Sequence, residues 1–133
     1  MPKIPSRPAL DLSGKWSVSL PTLPDDYLAL TSDPHVLIRH EEFSRFSATY
    51  WFGPQRGEID GRVDEVWPHA AQLFLTFAGT DGDEAVFGAS GDAGYNAQDE
   101  ETITGTFRYH HGEDLPFVWT RIEKTGRPKR ARK

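Results

Sequence analysis

The sequence predicts an all-β fold, a single antiparallel up-and-down barrel of about eight strands. Three observations carry that reading. Helical periodicity is nearly absent, apolar and polar side chains alternate in short runs, and turn residues interrupt those runs every ten or so positions. The runs follow one another through short connections in meander order, which suits a barrel of small bore. At 133 residues the chain is one domain's worth, long enough to bury a core without staples.

The first run, Lys15 to Leu20, sets Trp16, Val18 and Leu20 on one face and Lys15, Ser17 and Ser19 on the other. Pro21 and Pro24 stop it. Between Pro24 and Leu30 a short turn of helix is expected, with Asp25 and Asp26 suiting its first turn. The second run is His35 to His40. The third is Phe46 to Phe52, where Phe46, Ala48, Tyr50 and Phe52 alternate with Ser47, Thr49 and Trp51. Gly53 to Gly57 reads as a turn, and Glu58 to Val66 follows with Ile59, Gly61 and Val63 inward.

Gln72 to Phe77 is apolar on both faces, so its outer side should be covered by a loop, the tail or a partner. After the Thr80–Asp83 turn, Phe87 to Ala97 is weak and glycine-rich, predicting one bulged or strongly coiled strand. Thr102 to Tyr109 alternates cleanly. Pro116 to Ile122 closes the set with Phe117, Trp119 and Arg121 on one side. The organisation read from this is an extension over 1–11, a barrel over 12–124 and a basic tail over 125–133.

Composition narrows the chemistry. With no cysteine, a disulfide framework, thiol catalysis and Cys-based zinc sites are excluded, and a reducing, cytoplasmic setting is expected. No apolar run is long enough for a signal peptide or a membrane-spanning helix, so no membrane partner is expected. The net charge is −5, yet six of the fifteen Lys and Arg fall at or after Lys124. The remaining body is therefore more acidic than the total, which disfavours a nucleic-acid-binding face on it.

Gly14-Lys15-Trp16, Phe46-Ser47-Ala48-Thr49-Tyr50 and Thr120-Arg121-Ile122 resemble the matching strand ends of the avidin branch of the calycins, the superfamily of avidin-like and lipocalin-like barrels. The resemblance implies that Gly14 and Trp16 on the first strand and Arg121 on the last close the barrel, with the guanidinium lying across the indole. The middle of the chain is also similar to a group of small uncharacterised bacterial proteins. The shared pieces are Phe52-Gly53, Gly57-Glu58-Ile59-Asp60-Gly61, Gly82-Asp83-Glu84 and His110-His111-Gly112-Glu113-Asp114. Tyr50 matches the avidin tyrosine that meets the ureido oxygen of biotin. Val18, however, stands where avidins place a polar partner for that oxygen, and no Trp stands in the Gln72–Phe77 strand. Biotin is not the expected ligand, since each missing hydrogen bond to a buried group costs about 1–3 kcal/mol.

The inward set is aromatic, and in a narrow barrel such side chains either fill the lumen or line a cup at its open end. The cup reading takes Tyr50, Tyr109 and Trp119 as ligand-binding residues at the mouth, with His111 as a polar contact. Asp81, Asp83 and Glu84 gather at a glycine turn, but the closing Glu of a calcium loop is missing. Neither a metal nor a cofactor is expected. Adjacent His110 and His111 point to opposite sides of an extended segment and cannot chelate one ion together. An imidazole oriented by Glu113 or Asp114 would make a general base, yet no nucleophile has a recognisable setting, so the chain is not expected to be an enzyme. On the outer face, Trp51, Trp67 and Phe74 read as an interaction face. The expected function is thus a non-catalytic binding module taking a small molecule at the barrel mouth. The alternative is a protein-interaction or homodimerisation module with a filled barrel.

Overall fold

The computed structural model describes residues 10–28, 33–110 and 112–123. Nine strands and one short helix follow in order: β1 (Gly14–Ser19), α1 (Asp25–Leu28), β2 (His35–Glu42), β3 (Arg45–Phe52), β4 (Gln55–Trp67), β5 (Ala70–Asp81), β6 (Glu84–Ser90), β7 (Gly94–Asn96), β8 (Thr102–Tyr109) and β9 (Leu115–Glu123). Strands consecutive in the chain pair antiparallel, β6 and β7 excepted, and β9 returns to pair with β1, so the sheet closes on itself. β6 and β7 occupy one place in the ring, both lying between β5 and β8. The result is an eight-strand up-and-down barrel in which one strand is interrupted.

That interruption refines the single bulged strand expected over Phe87–Ala97. The chain leaves the ladder between Ser90 and Gly94, and Asp92 pins the gap to β8. Its carboxylate accepts from the Thr106 amide at 3.0 Å, the Thr106 hydroxyl at 3.0 Å and the Ser90 hydroxyl at 3.1 Å. Two hairpins are also tighter than the turn residues suggested. Phe52 pairs directly with Gln55 and Asp81 with Glu84, leaving two-residue loops that start at Gly53 and Gly82. Both glycines have φ near +60°, the left-handed conformation this loop geometry needs at its first position. β4 therefore begins at Gln55, inside the stretch read as a turn.

Inward positions alternate as the pattern requires, and they fill the bore. Trp16, Phe52, Phe107, Phe117 and Trp119 are buried. Phe117 stacks on Trp119 at 4.5 Å, Phe107 meets Phe117 and Phe77 at 4.7 Å each, and Tyr50 stacks on Phe52 at 5.4 Å. Burial of such rings is the main stabilising term, on the order of 1.5–3 kcal/mol per side chain. Outside, Phe74 of the doubly apolar β5 is half-buried. The Arg62 guanidinium lies 5.2 Å from its ring centre, and the β6–β7 connection runs beside it, where a Cβ on Gly91 would come 3.9 Å from the ring.

One end is sealed. Trp16 donates its indole N–H to the Leu12 carbonyl at 3.0 Å. Arg121 lies over the indole, 4.9 Å from its centre, and donates to the carbonyls of Ser13 (3.2 Å) and Asp11 (2.6 Å). It also pairs with Glu101 at 3.3 Å, whose carboxylate accepts from the Tyr95 hydroxyl at 2.7 Å. Gly14, buried with φ +143°, starts β1 where the chain turns under this lock.

Candidate functional site

The opposite end receives the β3–β4, β5–β6 and β8–β9 turns and the segment that carries α1. Four inward positions set polar groups there: Gln55 opens β4, Asp81 ends β5, Tyr109 ends β8, and Tyr50 lies one inward position below Phe52 on β3. Gln55 is the hub. It is 5% exposed, accepts from the Tyr109 hydroxyl at 2.9 Å, and donates from its amide nitrogen to the Tyr27 hydroxyl at 3.0 Å. Tyr27 reaches the mouth from α1, and its ring lies against Gly53, where a Cβ would come within 2.7 Å of it. A glycine at that turn thus serves the hairpin and seats the helix.

Below this layer the wall is made of glycine. Gly57 and Gly79 pair across β4 and β5 at inward positions. A Cβ on either would come within 2.7 Å of the Tyr50 hydroxyl, so that oxygen occupies the space their missing side chains leave. Tyr50 is 2% exposed, and its hydroxyl has no hydrogen-bond partner among the described residues. Burial, and then the negative charge of Asp81, pushes the Tyr50 hydroxyl up to about 12. Burial likewise raises Tyr27 and Tyr109 above the ordinary phenol value, with Asp81 adding to both and Gln55 opposing it. The Asp81 charge is therefore felt by all three phenols.

The residues read from the sequence fall as follows. Tyr50 and Tyr109 share the mouth. Trp119 does not; it pairs with Val18 and Ile103 in mid-barrel, fully buried, with its indole N–H unpartnered among the described residues. Four residues of β9, Leu115 to Val118, separate it from the turn and set it two inward positions below Leu115. His111 lies outside the described residues. Its neighbour His110 is exposed and stacks on Phe87 at 4.7 Å. Gln55 and Tyr27 were missed, the first because it was assigned to a turn and the second because α1 is too short to show periodicity.

The outer aromatics do not form one face. Trp51 pairs with Arg56 near the start of β4, and Trp67 ends that strand eleven residues on, about 36 Å at 3.3 Å per residue. Trp51, 41% exposed, borders instead a shallow depression of about 410 Å³ lined by His35, Thr49, Arg56 and Glu58. Phe74 lies under Arg62 and beside Gly91.

No group of three or more His, Asp or Glu gathers closely enough to hold a metal ion among the described residues. No helix among them is long and apolar enough to cross a membrane. Comparison of the chain with family models, curated proteins and solved structures finds no match.

Proposed function

We propose that the protein is a non-catalytic binding module of calycin type that takes a small molecule at the open end of its barrel. The observation that carries this reading is the Tyr50 hydroxyl. A buried hydroxyl without a partner costs about 1–3 kcal/mol, and Phe would fill the same ring position without that cost. Groups held against stability in this way concentrate where a ligand will satisfy them. Gln55, Tyr27 and Tyr109 form a hydrogen-bonded rim around the mouth, and the edge-to-face rings of Phe77 and Phe107 floor it, so the ligand is compact and shallow-seated. The exposed setting of His110, Glu113 and Asp114 on the β8–β9 turn supports a non-catalytic role. The absence of cysteine suits a cytoplasmic setting.

Ligand-observed NMR with a library of small polar aromatics tests the reading. Hits should be displaced in common and lost in Gln55→Leu. A library without a single hit at millimolar concentration would sink it.

The second reading, an interaction module with a filled barrel, draws on one observation: Trp51 and Leu37 are 41% and 42% exposed on the wall of β2 and β3. Sedimentation of the wild type and of Trp51→Ala distinguishes a self-associating face from a bare one.

A further inference from the structure

All twenty Asp and Glu of the chain lie between residues 10 and 123, against seven Lys and Arg in the same span. They are not spread evenly along it. The described residues of the connections at this end, 20–28, 33–34, 53–54, 81–84, 110 and 112–114, contain no Lys or Arg. Two of them, the β5–β6 and β8–β9 turns, carry Asp81, Asp83, Glu84, Glu113 and Asp114. Of these, Asp81 is inward-facing, since it continues the series Leu73, Leu75, Phe77 and Gly79 along β5 and is only partly exposed. This end of the barrel thus sets one inward carboxylate among phenol rings, in connections rich in negative charge.

We infer that the ligand of the mouth is an organic cation, a primary or alkylated amine on a small apolar or aromatic body, with its ammonium at Asp81 and the Tyr50 hydroxyl. This rests on the small-ligand reading above and specifies its chemistry. Three features argue for it. A carboxylate beside aromatic rings recognises an ammonium by ion pairing, N–H donation and attraction to the π faces together. Tyr50 is 2% exposed, and its partnerless oxygen lies in the Gly57–Gly79 slot, one inward position below Asp81; a phenol oxygen accepts from N–H as readily as it donates. An anion would meet Asp81 with no Lys or Arg in these connections to offset it. A metal ion would find too few ligands among the described residues. An ammonium needs one carboxylate and a few rings, and these are present.

The test compares two probes of nearly equal shape, 2-phenylethylamine, which is cationic at neutral pH, and 2-phenylethanol, which is not. Binding to the full chain is measured by calorimetry and by ligand-observed NMR, with wild type, Asp81→Asn and Tyr50→Phe. The amine is expected to bind roughly tenfold or more tightly than the alcohol, and Asp81→Asn to remove that preference. The preference should also shrink between low and high salt. Equal binding of both probes overturns the cation inference and leaves the mouth reading standing. Amine binding that is unchanged in Asp81→Asn, with circular dichroism showing the variant folded, removes Asp81 from the site and overturns it too. If Asp81→Asn fails to fold, the salt series on the wild type decides, because a neutral contact has no salt dependence. Neither probe binding at about 10 mM, a level set by the weakest millimolar affinities, overturns both the inference and the reading beneath it.

Discussion

Arg121 stands 4.9 Å over the ring of Trp16, and the two residues sit on the first and last strands of the chain. The contact fastens the seam where the sheet closes, and everything around it depends on the guanidinium being a planar fork. It donates to two backbone carbonyls before β1 and pairs with Glu101, which is held in turn by Tyr95. Trp16→Ala should remove about 3–5 kcal/mol of stability by cavity formation. Arg121→Lys, keeping the charge but not the fork, should cost about 1–3 kcal/mol. Urea midpoints measure both, and wild-type midpoints in either variant would mean the seam is held elsewhere.

Tyr50→Phe is expected to behave differently from most core changes. Its hydroxyl is buried without a partner, so removing it should leave stability unchanged or raise it by up to about 1 kcal/mol. The same variant should lose binding of any ligand that reaches the slot. A drop of about 2 kcal/mol or more on thermal unfolding would show that the hydroxyl has a stabilising role.

Alkali should unfold the protein through its phenols. Burial, and then Asp81, sets the Tyr50 hydroxyl at about 12 in the folded state, against an ordinary value near 10. A raised pKa means the folded chain keeps its proton longer. This contribution is therefore complete below about pH 10 and is lost as pH rises toward 12. Tyr50→Phe should flatten that limb of the stability profile measured by urea titration at each pH.

Gly57→Ala should be costly although the residue is merely enlarged by a methyl. The new carbon would lie 2.4 Å from the Ala78 carbonyl oxygen and 2.7 Å from the Tyr50 hydroxyl, distances that β4 and β5 can relieve only by separating. A loss on the order of 1–3 kcal/mol is expected, larger than for a typical surface change. Thermal melting against Gly82→Ala, whose added carbon meets nothing within 4 Å but whose φ is +62°, separates crowding from backbone strain.

Acid should loosen the join between β6 and β7. Burial opposes the Asp92 charge, but hydrogen bonds from Thr106 and Ser90 outweigh it and hold the carboxyl below its ordinary value. A lowered pKa stabilises the fold above about pH 4, and the benefit fades as pH falls through that range. Protection of the Thr106 amide from hydrogen exchange, relative to its intrinsic rate at each pH, should fall as pH drops below about 4 in wild type and already be low in Asp92→Asn.

Barrel class, strand order and the inward set were legible because alternation along a strand needs only local sequence. Tyr50, Phe107 and Trp119 point inward on that basis alone. What alternation cannot report is depth along the barrel axis. Trp119 looked like a mouth residue and lies below it in mid-barrel, while Gln55 looked like a turn residue and is the hub of the mouth. The first error comes from Trp119 being the fifth residue of β9. The second comes from hairpin length, since a two-residue loop at Gly53 lengthens β4 by three residues at its start. The same lengthening separates Trp51 from Trp67. Tyr27 was illegible for another reason. A four-residue helix has too little periodicity to read, and its place is set by a glycine distant in sequence.

Because β9 returns to β1, nearly every backbone donor and acceptor in the wall is already engaged, and a visiting peptide cannot extend the sheet by adding a strand. The tip of the β4–β5 hairpin is different. Residues 64–67 run beyond the end of β3 and have one margin with no strand partner among the described residues, with Val66 and Trp67 exposed beside it. Asp64, Glu65 and Pro68 flank those two residues, the charges and the missing amide that discourage chains from stacking edge to edge. In the proposed binding role, recognition would therefore proceed through side chains, with the wall contributing shape rather than hydrogen-bonding sites.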